Sequence, residues 1–334
     1  MTNEITREIT RARLLRAVPL ALAGAALLLG SLGAHAQAWP SKPVRLVVSY
    51  PPGGTVDAVA RIIAPKLSAK LGQPVVIDNR GGAGGAIGGD LVAKSPADGY
   101  TVLLDASNHA QNPALRKMPF DTLRELAPVS LLVRVPNVLV VNPSAPFKNV
   151  ADLIAQAKAK PGAINYASSG NGSAQHLAGE LFASMAGVQM THVAYKGGGP
   201  ALTDVMSGHV PVFFASLASS MPFIKDGKLR ALAVTGKAPS PALPQLPTVA
   251  EAGLPGYEVY EWNAVFVPAG TPAPVAQRLS KEFAAALKDP EVHGRLEALG
   301  AEVIGSTPAE LDSFRRAEIA KWTKLAKDNR IQLD

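Results

Sequence analysis

The chain has no cysteine, three tryptophans, and only 5% aromatic residues among its 334 positions. Without thiols there is no disulfide, no thiolate nucleophile and no Cys-based metal centre. Histidine is scarce as well. His109, His176, His192, His209 and His293 show no His-x-x-x-His or Glu-flanked spacing of the kind that places two metal ligands on one helix face. Lysine is missing where it would be diagnostic: no Gly-Lys-Ser/Thr closes any glycine-rich loop, which excludes a P-loop. The run GGAGGAIGG fails the dinucleotide fingerprint, because Ile87 stands at the last glycine position. There is no G-x-S-x-G elbow for a serine nucleophile. The net charge of +7 is scattered without an aromatic-interleaved basic stripe, so nucleic acid is not an expected partner. A mildly basic protein is nevertheless suited to receiving anions.

What is present begins with a leader. Arg11, Arg13 and Arg16 precede the apolar run AVPLALAGAALLLGSLGA, which is followed by AHAQA. A basic n-region, a short h-region and an A-x-A site together predict a Sec-type signal peptide over residues 1–38, cleaved after 36 or 38. No Arg-Arg pair precedes the run and no cysteine follows it to accept a lipid. The expected location is therefore the periplasm. Four leader arginines against two glutamates leave the remaining chain two units less basic.

Beyond the leader, β-branched apolar runs alternate with helical patterns. VRLVVS (44–49), PVVIDN (74–79) and TVLLDA (101–106) read as strands, with helices at 56–71 and 86–94 between them. In the first helix Val59, Ile62, Ile63 and Leu67 share a face. This β-α-β-α-β order implies a parallel sheet covered by helices. A strand at 137–141 ends at Asn142-Pro143, and a helix from about 149 stops at Pro161-Gly162. INYASS (164–169) opens a second strand-loop-helix series, with a helix at 173–186 and Gly187 after it, followed by the strand-like VPVFFAS and LRALAVT. A long extended run, 257–270, then precedes further helices and one short strand, AEVIG. Two extended crossings about a hundred residues apart predict two α/β lobes joined by two strands. The expected division is 39–138 plus 263–334 for lobe 1 and 139–262 for lobe 2.

Four strand-to-helix junctions are rich in glycine and small hydroxyl residues: PPGGTVD (51–57), NRGGAGGAIGGD (79–90), SSGNGSAQHLAGE (168–180) and YKGGGPALTD (195–204). Each alone is explained by turn chemistry, with Thr55 or Ser173 capping a helix. Two in each lobe point further. Helix starts carry unpaired N–H groups and a positive dipole end, and open α/β sheets bind ligands beyond their strands' carboxyl ends. Lobes facing each other would hold a ligand that is negative at one or both ends.

These residues resemble the substrate-binding proteins of tripartite tricarboxylate transporters, the Bug family. The resemblance covers essentially the whole mature chain, through WPSKPVRLVVSYPPGGTVDAVAR, VVIDNRGGAGGAIGGDLVAKSPADGYTVL, NYASSGNGSAQHLAGELF, VAYKGGGPALTDVMSGHV and LPTVAEAGLPGYEV. It implies a two-lobed periplasmic-binding-protein (Venus flytrap) fold with a mainly parallel sheet in each lobe. It also implies binding of a small carboxylate that is passed to membrane permease subunits; a monomer without cofactor or metal is expected. Carried over by position, the family's ligand loops fall on Pro52, Gly53, Gly54, Thr55 and Asp57, and on Ser107 and Asn108. In the second lobe they fall on Ser168, Gly170, Ser173 and His176, and on Tyr195 and Gly197. Asp57 is expected to brace its loop through N–H groups, while Ser168, Ser173 and Tyr195 are donors. Where family members commonly read Phe-Asp-Asn, this chain has Phe214-Ala215-Ser216. The Asp that could pair with an ammonium is Ala215, which disfavours an amino acid against a dicarboxylate, hydroxy acid or aromatic acid. Asn263 stands after Trp262 where an aromatic residue is frequent. Two other functions use the same loops: an exported hydrolase with an oxyanion hole, and a ligand-sensing subunit for a membrane kinase. Ser173 and His176, three apart, could mimic a nucleophile and base, but Ser173 reads better as a helix cap.

Overall fold

The computed structural model describes residues 39–329 and 331, so the leader with its two cleavage sites lies outside the described residues. From Lys42 onward the chain forms one compact unit. Its first half is β1 (Val44–Val48), α1 (Thr55–Leu71), β2 (Val75–Asn79), α2 (Ala86–Ala93), β3 (Thr101–Ala106) and α3 (Asn108–Leu115). Strand β1 pairs in parallel with both β2 and β3. Val59, Ile63 and Leu67 of α1 are fully buried against this sheet, as the helical spacing predicts. The helix stops at Gly72, whose left-handed φ of 69° costs a residue without Cβ nothing.

The second half contains α4 (Val150–Ala159), β5 (Asn165–Ser168), α5 (Ala174–Ala186), β6 (Thr191–Ala194), α6 (Gly198–Met206), β7 (Val212–Ser216), α7 (Leu217–Lys225) and β8 (Arg230–Val234). Here β5 is the parallel centre, between β6 and β7. The chain closes with β9 (Tyr260–Pro268), α8 (Ala273–Leu287), α9 (Pro290–Ala298), β10 (Glu302–Val303) and α10 (Pro308–Asn329). Among the described residues no helix is long and apolar enough to cross a membrane.

The two halves are joined by β4 (Leu126–Val141), which is far longer than the 137–141 strand expected from sequence. Its Leu126–Pro136 portion pairs antiparallel with β9, and its Asn137–Val141 portion with β7 and β8. Pro128 and Pro136 hid the first portion, since proline reads as a break in a strand interior. Register shifts beside Pro128 absorb one of them. The order β2-β1-β3-β9-β4-β7-β5-β6 is therefore mixed: parallel within each α/β half, antiparallel where the chain crosses. Strand β9 starts at Tyr260, three residues later than the run read from sequence.

One contact in the second half yields a stability prediction. Gly179 of α5 lies over Tyr166 of β5, and a Cβ there would fall inside contact distance of the ring. That ring cannot slide away. Its hydroxyl donates to Glu180 at 2.5 Å, and it stacks on His192 with centroids 5.1 Å apart. Gly179→Ala gains about 1 kcal/mol of helix propensity but overpacks a rigid core, at about 1–3 kcal/mol. The clash lies at the severe end of that range, so a net loss of roughly 2 kcal/mol is expected. The check is a lower urea midpoint at unchanged slope.

Candidate functional site

A cleft of about 590 Å³ opens where the loops of the two halves face each other. That volume suits a small organic ligand. From the first half it is lined by Tyr50, Gly53, Gly54 and Thr55, and by Ser107 and Asn108 at the start of α3. From the second half it is lined by Ser169, Ser173 and Gln175, by Gly197–Gly199 at the start of α6, and by Ser216 and Ser219 at the start of α7. Glu261 of β9 completes the wall. No lysine, arginine or histidine is among the lining residues. Positive potential in the cleft thus comes from the starts of α1, α3, α5, α6 and α7.

The first-half loop is held from behind. The buried carboxylate of Asp57 accepts the Gly53 N–H at 2.9 Å and the Asn79 amide at 3.0 Å. It also accepts from Arg61 at 2.8 Å. The Arg61 bond, with Gly53 and Asn79 adding to it, holds the Asp57 carboxyl below the usual carboxylate range against the opposing effect of burial. Gly53 has a φ of +90°, a backbone conformation that favours glycine. Thr55 is the first residue of α1, not its cap; Gly54 is the cap residue and makes no side-chain bond. The Thr55 hydroxyl instead lies beside Glu261, whose ionised form it favours. Pro52 is exposed and does not line the cleft.

The second-half loop rests on a histidine stack. Ser173 caps α5, its hydroxyl accepting from the His176 N–H at 3.2 Å. The His176 ring turns away from that hydroxyl: Nδ1 accepts the Gly172 N–H at 3.1 Å, which fixes the proton on Nε2. His176 stacks on His192 with centroids 3.9 Å apart, and His192 Nε2 lies 2.6 Å from the Ser168 hydroxyl. Ser168 in turn takes the Gly170 N–H at 3.0 Å. Burial lowers both histidines, His176 to about 3 with the neighbouring His192 charge adding to it, and His192 to about 4.

The side chain of Asn108 spans the two sides of the cleft. Asn108 accepts from the Tyr50 hydroxyl at 2.7 Å and donates Nδ2 to the Gly172 carbonyl across the cleft, also at 2.7 Å. Removing this contact should make ligand leave faster. Asn108→Ala is expected to raise koff about tenfold, the value of one buried hydrogen bond, with little change in kon. Stopped-flow measurement of both rates checks it.

Of the residues singled out from sequence, Gly53, Gly54, Thr55, Ser107, Asn108, Ser173 and Gly197 line the cleft. Asp57, Ser168, Gly170 and His176 support the loops from behind. Tyr195 donates its hydroxyl to Asp204 at 2.6 Å and is not at the cleft surface. Ala215 is fully buried among Val138, Val140 and Phe213 and also does not line the cleft. A carboxyl nevertheless faces the cleft, from Glu261. Sequence reasoning missed it because it sits inside a strand with no loop signature; only its pairing with Val135 on β4 turns it inward. Tyr50, Ser169, Gln175, Ser216 and Ser219 were missed too; Ser169 and Gln175 lie within the SSGNGSAQHLAGE junction and Tyr50 directly precedes PPGGTVD, whereas Ser216 and Ser219 lie outside all four junctions.

Comparison with known proteins gives a consistent result. The family model described as "Tripartite tricarboxylate transporter family receptor" matches residues 59–331. Protein BugT of Bordetella pertussis is 38% identical over 301 residues, covering 89% of this chain and 92% of that protein. R. palustris Rpa4515, solved with adipate, superposes with a TM-score of 0.79 at 42% identity, over 88% of this chain and 99% of that one. MatC (Rpa3494) from Rhodopseudomonas palustris, solved with bound malate, gives 0.76 at 31% identity over 86% and 99%.

Proposed function

Because the chain belongs to the tripartite tricarboxylate transporter receptor family, we propose that it captures a small carboxylate in its cleft and delivers it to the permease subunits of such a transporter. The carrying observation is a cleft faced from both sides by helix starts and hydroxyls, with no cationic side chain among its lining residues. Neutral donors of this kind hold an anion reversibly, which suits a ligand that must be released. The relatives solved with adipate and malate support a dicarboxylate or hydroxy acid; an aromatic acid also fits about 590 Å³.

The lobes on this reading are 39–138 plus 263–334 and 139–262. One feature supports a division near the first of these boundaries: β4 leaves one set of partners at Pro136 and takes up the other at Asn137, whereas on β9 the pairing with the first set runs on from Pro268 to Tyr260. Closure of the lobes would exclude water and strengthen the contacts. The protein works as a periplasmic monomer, exported through the segment before residue 39. It changes no bonds. The ring of His176, engaged by Gly172, is not placed to activate Ser173.

A thermal-shift screen of C4–C8 mono-, di- and tricarboxylates, aromatic acids included, tests the proposal. Saturable stabilisation without turnover is expected, amounting to about 2.7 kcal/mol at a hundredfold excess over Kd. Hydrolysis of an ester panel, or no stabilisation by any acid, would overturn it.

A further inference from the structure

Glu261 is the one acidic side chain lining a cleft whose other features attract anions. Its neighbours on the strand surface sharpen the contrast. Glu261 pairs with Val135, and Asn137, two residues along β4, pairs with Ser216 of β7. Alternation along a strand puts Glu261, Asn137 and Ser216 on the same face, of which Glu261 and Ser216 line the cleft while Asn137 is buried beneath it. Asn137 Nδ2 and Ser216 Oγ are both buried and have no hydrogen-bond partner. Asn137 is fully buried, so leaving its donor unmet is costly. The free hydroxyl of Ser216 thus lines the same cleft as Glu261, where a ligand oxygen would sit near a carboxyl.

Two carboxylates cannot both stay ionised at short range in a desolvated cleft without a cation. The ionisable groups around Glu261 provide none at the cleft surface. Tyr50 stands in the loop after β1; Asp105 of β3 is tied to Ser49 at 2.6 Å and to His109 of α3 at 3.1 Å. Arg116, past the end of α3, does not line the cleft. Arg134 of β4 donates to Glu302 of β10 and lies over the ring face of Tyr260. His176 lies behind the second-half loop. Burial already pushes the Glu261 carboxyl above the ordinary glutamate range, with the Thr55 hydroxyl opposing it.

We propose that Glu261 is the specificity-determining residue of the cleft: it takes a proton from bulk water when a carboxylate enters and donates it as a hydrogen bond to that carboxylate. The balance is ligand anion plus ionised Glu261 plus one proton, giving a complex in which the carboxyl is neutral. An acid that brings no positive charge is bound with this proton, whereas an ammonium group would be met by the ionised carboxylate without proton uptake. This inference rests on the carboxylate-binding reading above.

The test uses the full mature chain and adipate, or whichever acid of the panel binds tightest. Calorimetry between pH 6.5 and 8, in buffers of differing ionisation enthalpy, counts protons taken up on binding. Both carboxyls of adipate, and the two stacked histidines with their low values, keep one charge state across that range. Uptake approaching one proton is expected, with affinity falling up to about tenfold per pH unit. Glu261→Gln, which supplies a fixed donor of the same shape, should bind more tightly than the parent at pH 8 and lose the pH slope. Binding with no proton uptake, or a Glu261→Gln protein that is folded by thermal melt but more than tenfold weaker at pH 8, would overturn the proposal and leave the carboxylate reading standing. If no acid of the panel binds the parent, the carboxylate reading itself fails and takes this inference with it.

Discussion

Asp57→Ala is expected to reduce ligand affinity at least about a hundredfold and to cost about 3 kcal/mol of stability, the low end for two part-buried hydrogen bonds to a charged group. The relevant partners are Gly53 and Asn79, not Arg61. Arg61 is more than half exposed, so its ion pair is screened and contributes little. Gly53 and Asn79, in contrast, lose their acceptor. The loop then has nothing to hold Gly53 at its positive φ, and the start of α1 at Gly54 and Thr55 loses its fixed position at the cleft. Asp57→Asn separates shape from charge. Its amide oxygen can still accept the Gly53 N–H, so most of the affinity should return while some stability remains lost. Urea denaturation and calorimetric titration read the two effects independently. Unchanged affinity in a folded Asp57→Ala protein would mean that this loop does not hold the ligand.

Acid should destabilise the protein well before its carboxylates titrate. His176 and His192 are neutral when folded, with values of about 3 and about 4, whereas both charge near 6.5 in the unfolded chain. A depressed folded value means stability that is fully present above about 6.5 and lost progressively as pH falls from there toward about 4 and then about 3. Each unit of difference is worth roughly 1.4 kcal/mol, so the pair accounts for a loss of several kcal/mol over that window. Asp57 has the same sign but a lower window, because its unfolded value is already near 3.8. Chemical denaturation at pH 7.5, 6, 5 and 4.5 should show the slope, and a His176→Gln/His192→Gln protein should flatten it. Ligand affinity should fall along with stability, since Ser168, Gly170 and Gly172 are positioned by these rings. A parent protein equally stable at pH 7 and 4.5 would contradict the buried neutral pair.

Much of the site was legible locally. PPGGTVD, SSGNGS and YKGGGP announce strand-to-helix junctions by composition alone, and each contributes residues to the cleft, among them Gly53, Ser173 and Gly197. The start of α3 was harder to see. Ser107 and Asn108 stand out only through the family resemblance, because NHAQNPAL carries a proline and little helical periodicity. Ala215 shows the opposite difficulty: a substitution within a family pattern marks a difference, but not whether the side chain reaches the ligand. In this fold it is sealed into β7.

The sequence by itself determined the two α/β halves, the helix starts that face a ligand and the family, because turn chemistry, apolar periodicity and motif composition act over a few neighbouring residues. Only the tertiary structure decided the long β4, the contact of Asn108 with Gly172, the histidine stack and the inward turn of Glu261. Each of these joins residues between sixteen and well over a hundred positions apart. Strand register and the meeting of two lobes set such contacts, and neither leaves a local mark in the chain.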